Sequence, residues 1–416
     1  MCHVYNEKMN NIKRFFILIA IVFTANILVT NSISAQVPPL ANPSFETQAG
    51  SANEALSWFP FQNGYTRVQT AKTGTWGIKL SNTQTNTYSG IYQRVNFNQT
   101  TAKPIFIGGY VKGQNIINSS NGYFGASLYL EIVHTDGTIT YWNTIANYGS
   151  FDWRWVGVNT ATLPSNEKPI SHIFVVPMLG LARGTAFFDD IKVQEYEPTS
   201  GAVTIMVDDG EISTYTDILP ALNTFGFKGS AAIISGAIGD DGQMTKAQLV
   251  DLQNKGWEIV SHSVNHDDMT TLSNTRIKTE LNTSKRTLER AGLSVQNFAL
   301  PFGAYNGFIL GEAQAGGYKS VRAYEQGDNP KGLFPFDVKV RGLLNTTPIS
   351  EVESWLSNAK NNKKWTILTL HRIAPSSDDA YFLTSAQLKT IIQKVKDSGL
   401  PVITYKEGIS QFATAQ

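Results

Sequence analysis

Histidines in the C-terminal half of this 416-residue chain have the spacing expected of a metal site. His262 and His266 are four residues apart after a predicted strand, so both imidazoles can bind one metal ion if a helical turn follows that strand. His371 ends another predicted strand, an apolar segment typical of a buried parallel sheet. A single histidine pair is often coincidental, but the carboxyl ends of the strands in a parallel barrel meet at one rim. We therefore expect the three histidines at one face of the fold.

Two adjacent carboxylates, Asp208 and Asp209, follow a third predicted strand and precede Gly210. Neighbouring residues project in different directions, so one carboxylate can bind a metal while the other accepts a proton. The same triplet also occurs as an ordinary turn with a capping Asp, and alone it is weak evidence. The segment Phe298–Gly303 supplies one more strand end, where Gly303 permits a sharp turn and backbone N–H groups can serve as oxyanion donors.

Strand and helix periods alternate from residue 202 onward. The strand candidates are Ala202–Asp208, Gly229–Ile234, Glu258–His262, Asn297–Pro301, Ser320–Tyr324, Val338–Leu343, Thr366–His371 and Pro401–Tyr405. The helical segments between them include Thr245–Lys255, Ser273–Ala291, Ser350–Asn361 and Ser385–Ser398. Repeated β-then-α units predict a parallel barrel. Because about 215 residues is short for eight full units, we expect a distorted (β/α) barrel of seven or eight strands over residues 202–416.

Residues 37–196 show the period-two alternation of strands and no helical period. The alternation is clearest in Ser127–Val133, and Asp136 and Gly137 then predict a hairpin turn. Many short strands with polar turns predict an all-β sandwich. Residues 197–201, with one Pro and one Gly, predict a linker to the barrel. The fold class expected is therefore multidomain.

Five of the eight tryptophans lie in the predicted sandwich. Flat rings stack on the apolar faces of sugars, although aromatic residues in strands more often belong to the core. Trp153 and Trp155 are two residues apart and should face the same side of one strand. These two are the candidates for carbohydrate binding.

The N-terminus has the layout of a secretory signal peptide over residues 1–35. Lys13 and Arg14 precede the apolar run Phe15–Val29, and small or polar residues lead to Ala35. The alternative is an uncleaved membrane anchor, but fifteen residues are short for a span, which needs about 20. We expect a secreted or extracytoplasmic protein on a bacterial export route, with no membrane contact after cleavage.

Charge and cysteine content exclude other classes of function. The 34 basic and 33 acidic residues leave a formal charge of +1, which argues against a general nucleic-acid binder. Cys2 is the one cysteine, and it would leave with the signal peptide. Disulfides, thiolate zinc sites and cysteine catalysis are then excluded for the mature chain.

The sandwich region resembles the jelly-roll carbohydrate-binding modules of families four, nine and twenty-two. The resemblance depends on residues 42–46, Asn-Pro-Ser-Phe-Glu, and residues 184–191, Gly-Thr-Ala-Phe-Phe-Asp-Asp-Ile. It implies a structural calcium ion bound by acidic residues near both ends of the module, here Glu46 and Asp190, and oxygen ligands suit calcium. The alternative is that both acids are surface groups.

The barrel region resembles the polysaccharide deacetylases, carbohydrate esterase family four. The matching motifs are Met206–Gly210 for Thr-Phe-Asp-Asp-Gly, His262–His266 for His-Ser/Thr-x-x-His, Ala299–Phe302 for Arg-x-Pro-Tyr/Phe, and Leu368–His371 for Leu-x-Leu-His. The resemblance implies a divalent metal, usually zinc, bound by Asp209, His262 and His266. It also implies that Asp208 is the general base, that the Phe302 N–H and the metal stabilise the oxyanion, and that His371 protonates the leaving group.

Two family motifs are altered. The arginine that orients the catalytic Asp is Ala299 here, and the fourth motif, which tunes the catalytic His, has no clear match. Arg322 on the next predicted strand is a candidate replacement, or else part of a surface or structural ion pair. Asp328 or Asp337 is a candidate support for His371.

The resemblances together imply a secreted metal-dependent deacetylase that hydrolyses N- or O-linked acetyl groups on a polysaccharide and is targeted by a carbohydrate-binding module. The alternative is a non-catalytic carbohydrate-binding protein with a degenerate deacetylase domain. The expected partner is an acetylated polysaccharide or oligosaccharide. Which polysaccharide, which metal and which oligomeric state stay open at this stage.

Overall fold

The computed structural model describes residues 40–119, 124–377 and 379–415. The predicted signal peptide, residues 1–35, lies outside the described residues. Among the helices that are described, none is long and apolar enough to cross a membrane.

Residues 59–195 form two antiparallel sheets of five strands each, counted over the described part of this region. The strands are β1 (Phe59–Gln62), β2 (Thr66–Val68), β3 (Gly77–Asn82), β4 (Tyr88–Asn96), β5 (Ile105–Asn118), β6 (Gly125–His134), β7 (Ile139–Asn143), β8 (Gly149–Asn159), β9 (Ile170–Gly180) and β10 (Ala182–Glu195). The first sheet has the order β1-β4-β9-β6-β7, and the second has the order β2-β3-β10-β5-β8.

Alternation along the strands explains how the two sheets pack. Leu128, Leu130 and Ile132 of β6 are buried in one cluster with Ile78 and Leu80 of β3, so the inward faces of both sheets share a core. The predicted hairpin is present, because β6 and β7 pair directly across the Asp-Gly turn. The all-β prediction for this region is confirmed at the level of its strands, while the jelly-roll class stays a prediction.

Seven parallel strands close into a barrel over the described part of residues 202–370. They are β11 (Ala202–Val207), β12 (Ser230–Ile233), β13 (Glu258–Ser261), β14 (Asn297–Ala299), β15 (Ser320–Gln326), β16 (Val338–Gly342) and β17 (Trp365–Leu370). The order follows the chain, and β17 pairs with β11 to close the ring. Every residue of β11 and β17 is buried, as expected for parallel strands covered by helices. The barrel prediction is confirmed, with the lower of the two expected strand counts.

Helices follow most barrel strands. They are α1 (Leu219–Asn223), α2 (Lys246–Asn254), α3 (Asn274–Arg290), α4 (Gly307–Ala315), α5 (Ile349–Asn361), α6 (Ser385–Ser398) and α7 (Tyr405–Phe412), and two short strands, β18 (Arg372–Ile373) and β19 (Phe382–Leu383), pair after the barrel. The predicted strand over residues 401–405 is wrong. Val402 forms only an isolated bridge to Val203, and Tyr405 begins α7 because Thr404 and Glu407 form a capping box.

The sandwich and the barrel contact each other directly through β8 and α4, within one compact unit. The Arg154 guanidinium donates to the Gly307 carbonyl at 3.2 Å and lies 3.4 Å from a Glu312 carboxylate oxygen. The Gln314 side-chain amide makes two 2.8 Å hydrogen bonds to the backbone of Trp155. The linker prediction over residues 197–201 coincides with backbone that is neither helix nor strand.

This contact corrects one predicted carbohydrate ligand. Trp155 is 3% exposed, and its ring lies 4.9 Å from Tyr110 and 5.9 Å from Phe106 within the hydrophobic cluster of the barrel. A sugar cannot stack on a ring that is buried against Tyr110 and Phe106, so the prediction that Trp155 binds carbohydrate is wrong. Trp153 is half-buried, and its role stays a prediction.

Candidate metal centre and catalytic site

Three side chains with metal-ligand atoms converge at the carboxyl ends of the barrel strands. Asp209 follows β11, while His262 and His266 follow β13. The Asp209 Oδ1 atom lies 3.4 Å from Nε2 of each histidine. All three ligand atoms lie within 4.8 Å of one another. The barrel topology therefore brings together residues that are 57 positions apart in the chain.

The distances and donor types fit a divalent metal. Two ligand atoms that each lie about 2.1 Å from one zinc ion at a tetrahedral angle are about 3.4 Å apart. Asp209 Oδ1 is buried and, among the described residues, has no hydrogen-bond partner. His262 Nδ1 donates to the Ala299 carbonyl at 2.9 Å, so the neutral form of this imidazole presents the lone pair of Nε2 on the side of Asp209. Two nitrogens and one carboxylate oxygen are the donor set of a catalytic zinc site with open positions.

Electrostatics at the cluster favour the forms that bind a metal. Burial alone would raise the pKa of the Asp209 carboxyl, but His262, with help from His371 and His266, holds that pKa below its usual range. Burial and the neighbouring His262 lower the pKa of His266. An ionised carboxylate and a neutral imidazole are the species that coordinate cations.

Asp208 is held by a buried arginine. The Asp208 and Arg322 side chains are 3% and 0% exposed, and Nη2 of Arg322 donates to both carboxylate oxygens at 2.8 and 2.7 Å. Arg322 lies directly opposite Ala299 in the pairing of β15 with β14. A guanidinium from the next strand therefore occupies the place beside Asp208 where the family motif would supply one from residue 299. The burial of Arg322 excludes a surface ion pair, whereas a structural ion pair, the other part of that alternative, is what its contact with Asp208 forms.

His371 follows β17 and lies between two tyrosines. Its ring centroid is 5.0 Å from that of Tyr381 and 6.3 Å from that of Tyr324. The predicted support from Asp328 or Asp337 is wrong, because these carboxylates are committed elsewhere. Asp328 pairs with Arg341 at 2.8 Å, and Asp337 accepts a 2.7 Å hydrogen bond from Tyr305.

Left-handed backbone conformations cluster around the metal ligands. Asp209, Ser263, His266 and Phe302 have φ values of 75°, 65°, 60° and 55°. Non-glycine residues in this region are strained by about 1–3 kcal/mol each, and such strain concentrates at functional sites. Phe302 is 66% exposed, and its ring lies 4.8 Å from that of His266, so its side chain adjoins one of the metal ligands.

The two predicted calcium ligands of the sandwich contact the same loop. Glu46 accepts hydrogen bonds from the backbone N–H groups of Thr75 and Trp76 at 2.8 and 2.9 Å. Asp190 accepts one from the Thr73 hydroxyl at 2.8 Å. The structure thus brings both acids to residues 73–76, and calcium binding there stays a prediction.

Comparison with known proteins identifies a family for part of the chain. Residues 195–321 match the model of the polysaccharide deacetylase family. This part of the chain belongs to that family. The matched range contains Asp208, Asp209, His262 and His266, and it ends one residue before Arg322.

Two curated relatives match this chain over different lengths. YxkH of Bacillus subtilis (strain 168), named provisionally as a polysaccharide deacetylase, is 27% identical over 135 residues, 32% of this chain and 48% of that protein. A bifunctional xylanase/deacetylase of Pseudobutyrivibrio xylanivorans is 24% identical over 327 residues, 75% of this chain and 47% of that protein. The chain spans about half the length of these curated relatives.

A solved structure similar to the deacetylase domain is the Xyl-CE4 domain of a multidomain xylanase from the hindgut metagenome of Trinervitermes trinervoides. It is 21% identical, covers 51% of this chain and 91% of its own, and has a TM-score of 0.38.

Two tyrosines of the deacetylase domain were missed by sequence reasoning. Tyr324 lies two residues after Arg322 on β15, so both side chains face the same side of that strand. Burial, followed by the charge of Asp208, raises the pKa of Tyr324 to about 12. This strand parity was a usable signal for Tyr324. No sequence signal pointed to Tyr381, whose position depends on the loop between β18 and β19.

Proposed function

We propose that this protein is a metal-dependent hydrolase that removes acetyl groups from a polysaccharide. The observation that carries the proposal is the convergence of Asp209, His262 and His266 beside the buried Asp208–Arg322 pair. Hydrolysis of an acetyl group can use a metal site, a carboxylate fixed in position as a base and a separate histidine as an acid.

The residues present fit a divalent cation, with zinc favoured by two imidazoles and one carboxylate. A cation bound by Asp209, His262 and His266 would supply Lewis-acid polarisation of the acetyl carbonyl and would lower the pKa of water.

The side chains around the cation site divide the proton transfers. Asp208, held through both oxygens by Arg322, accepts the proton of the attacking water. The Phe302 backbone N–H donates to the carbonyl oxygen as negative charge develops there. His371, at the end of β17, gives a proton to the departing amine or alcohol. One group accepts a proton and another donates one, so the protons balance over the reaction.

The substrate is proposed to be an acetylated polysaccharide outside the cytoplasm. The domain family supports a polysaccharide. The relative that is named as a xylanase/deacetylase makes acetylated xylan the first polymer to test, beside N-acetylated polymers. The signal-like N-terminus supports export, and the all-β region supports a carbohydrate-binding role.

The test is acetate release from a panel of acetylated polymers, with purified protein, added zinc and a chelator. We expect stoichiometric zinc, loss of activity on chelation and recovery on adding zinc back. Asp208→Asn should abolish acetate release without changing the fold. The chain offers a matched control, Asp240→Asn, in a second and exposed Asp-Asp-Gly triplet at residues 240–242, which should keep full activity. An Asp208→Asn variant as active as wild type would contradict this mechanism, and wild type without zinc or activity would favour the binding-only alternative.

A further inference from the structure

The outer face of the first sandwich sheet carries a row of aromatic rings that crosses from strand to strand. Phe59 of β1 lies opposite Tyr92 of β4, with ring centroids 5.7 Å apart. Tyr92 is 6.0 Å from Phe174 of β9. The inward face of these strands is formed by other residues, such as Ile91 and Ile173, which are fully buried. The aromatic row therefore does not belong to the sandwich core.

Polar groups continue the row across the remaining strands. Glu131 of β6 lies opposite Phe174 on one side and Tyr141 of β7 on the other. The Glu131 carboxyl is half-buried between its neighbours, and this burial raises its pKa. Phe59, Tyr92, Phe174, Glu131 and Tyr141 are called the aromatic face below.

The aromatic face is open at both edges of the sheet. Phe59 on edge strand β1 is 55% exposed, and Ile139 on edge strand β7 is 42% exposed. Four strand spacings of about 4.8 Å make the face about 19 Å wide. A surface of this width suits an extended chain of several sugar rings rather than a single small molecule.

Charge on this face is small and balanced. Arg94 of β4 contributes one positive group and Glu131 of β6 one negative group, on either side of Phe174. The Arg94 guanidinium lies 3.3 Å from the His172 imidazole. Burial and the charge of Arg94 lower the pKa of His172 to about 4, so this imidazole is neutral at neutral pH. A nucleic acid or another polyanion would find no basic surface here. A neutral chain is the better match.

We propose that the aromatic face binds a neutral polysaccharide chain. Aromatic rings offer flat apolar surfaces for the C–H faces of sugar rings, and Glu131 and Arg94 offer hydrogen bonds for the hydroxyls. The choice of a polysaccharide rests on the proposed function, because the barrel of the same chain belongs to the polysaccharide deacetylase family. The binding surface is thus a different one from the Trp153 and Trp155 side of β8.

The test measures retention of the full chain by soluble polysaccharides, in gels that contain xylan, β-glucan, glucomannan or no polymer. We expect Tyr92→Ala and Phe174→Ala each to weaken binding to the retaining polymer about tenfold, the loss expected for one ring contact. Phe227→Ala, which removes a half-buried aromatic ring from the barrel domain, is the matched control and should bind as wild type does. Circular dichroism and thermal unfolding of each variant identify any loss of fold.

Acetate release from a small soluble acetyl ester separates this proposal from the proposed function. Variants of the aromatic face that lose polymer binding but keep wild-type release from the small ester support it. Wild type that releases acetate but is retained by none of the polymers would overturn it and leave the catalytic proposal standing. Wild type that is retained by a polymer but releases no acetate would support the binding proposal and overturn the catalytic one. If the alanine variants instead change the sedimentation of the protein, the face joins two copies of the chain and the polysaccharide proposal fails.

Discussion

The contact between Arg322 and Asp208 makes the catalytic carboxylate depend on a residue from another strand, and exchanging two residues tests that dependence. Arg322→Met removes the guanidinium and keeps most of the side-chain volume. Both partners are almost completely buried, and removal of one partner from such a pair costs about 3–5 kcal/mol of stability. Because Asp208 then loses the donor to both of its oxygens, we expect acetate release to fall about 10- to 100-fold with zinc still bound.

The second half of the test restores the guanidinium from the neighbouring strand. Ala299 is buried and lies opposite Arg322 in the β14–β15 pairing, and adjacent strands are about 4.8 Å apart. An arginine at residue 299 therefore projects to the same side and can reach Asp208. The double variant Ala299→Arg with Arg322→Ala should recover a large part of the lost kcat.

The assay is kcat for acetate release, with zinc content and Tm measured on every variant. Arg341→Met is the matched control, because Arg341 forms a comparable pair with the nearly buried Asp328 away from the metal ligands. It should lower Tm without a comparable loss of kcat. Arg322→Met with wild-type kcat would refute the idea that Arg322 positions Asp208. A folded, zinc-bound double variant no faster than Arg322→Ala would refute the equivalence of the two strand positions.

Three further outcomes are expected. His266→Ala should lose stoichiometric zinc because it removes one of three ligand atoms, whereas Asp208→Asn should keep its zinc. Elemental analysis measures the zinc content of both variants. Zinc retained by the His266→Ala variant would contradict the proposed metal site. Burial raises the pKa of Glu258 to about 7, above its unfolded value of about 4.3, so stability should fall by on the order of 3 kcal/mol as pH rises between these values. Glu258→Gln should remove that fall in urea unfolding, and a wild-type stability that is flat from pH 5 to 8 would count against it. A Gly→Ala change inside a helix normally stabilises a protein. Gly311→Ala in α4 should instead destabilise the folded protein by about 1–3 kcal/mol, because the new Cβ would lie 2.0 Å from the Arg154 side chain. A raised Tm would contradict this packing.

The hydrophobic periodicity of the sequence predicted the barrel strands and helices correctly, but it predicted the wrong structure for the last segment. The helix Ser385–Ser398 has the predicted bounds, and the strands at Glu258 and Trp365 begin within one residue of prediction. Such segments carry a strong period along their own length. Residues 401–405 were apolar enough for a strand, but the Thr404 capping box set a helix start there. The capping box at Thr404 therefore determined the structure of this segment, and the weak strand period did not.

Side-chain type and spacing along the chain pointed to Asp209, His262, His266 and His371, because metal binding and proton transfer demand particular residues at strand ends. Three-dimensional packing decided the rest. The Arg322–Asp208 pair required the register between β14 and β15, and the burial of Trp155 required the docking of the sandwich on α4. Register and docking are set by many weak contacts between distant segments, and no short stretch of residues encodes them.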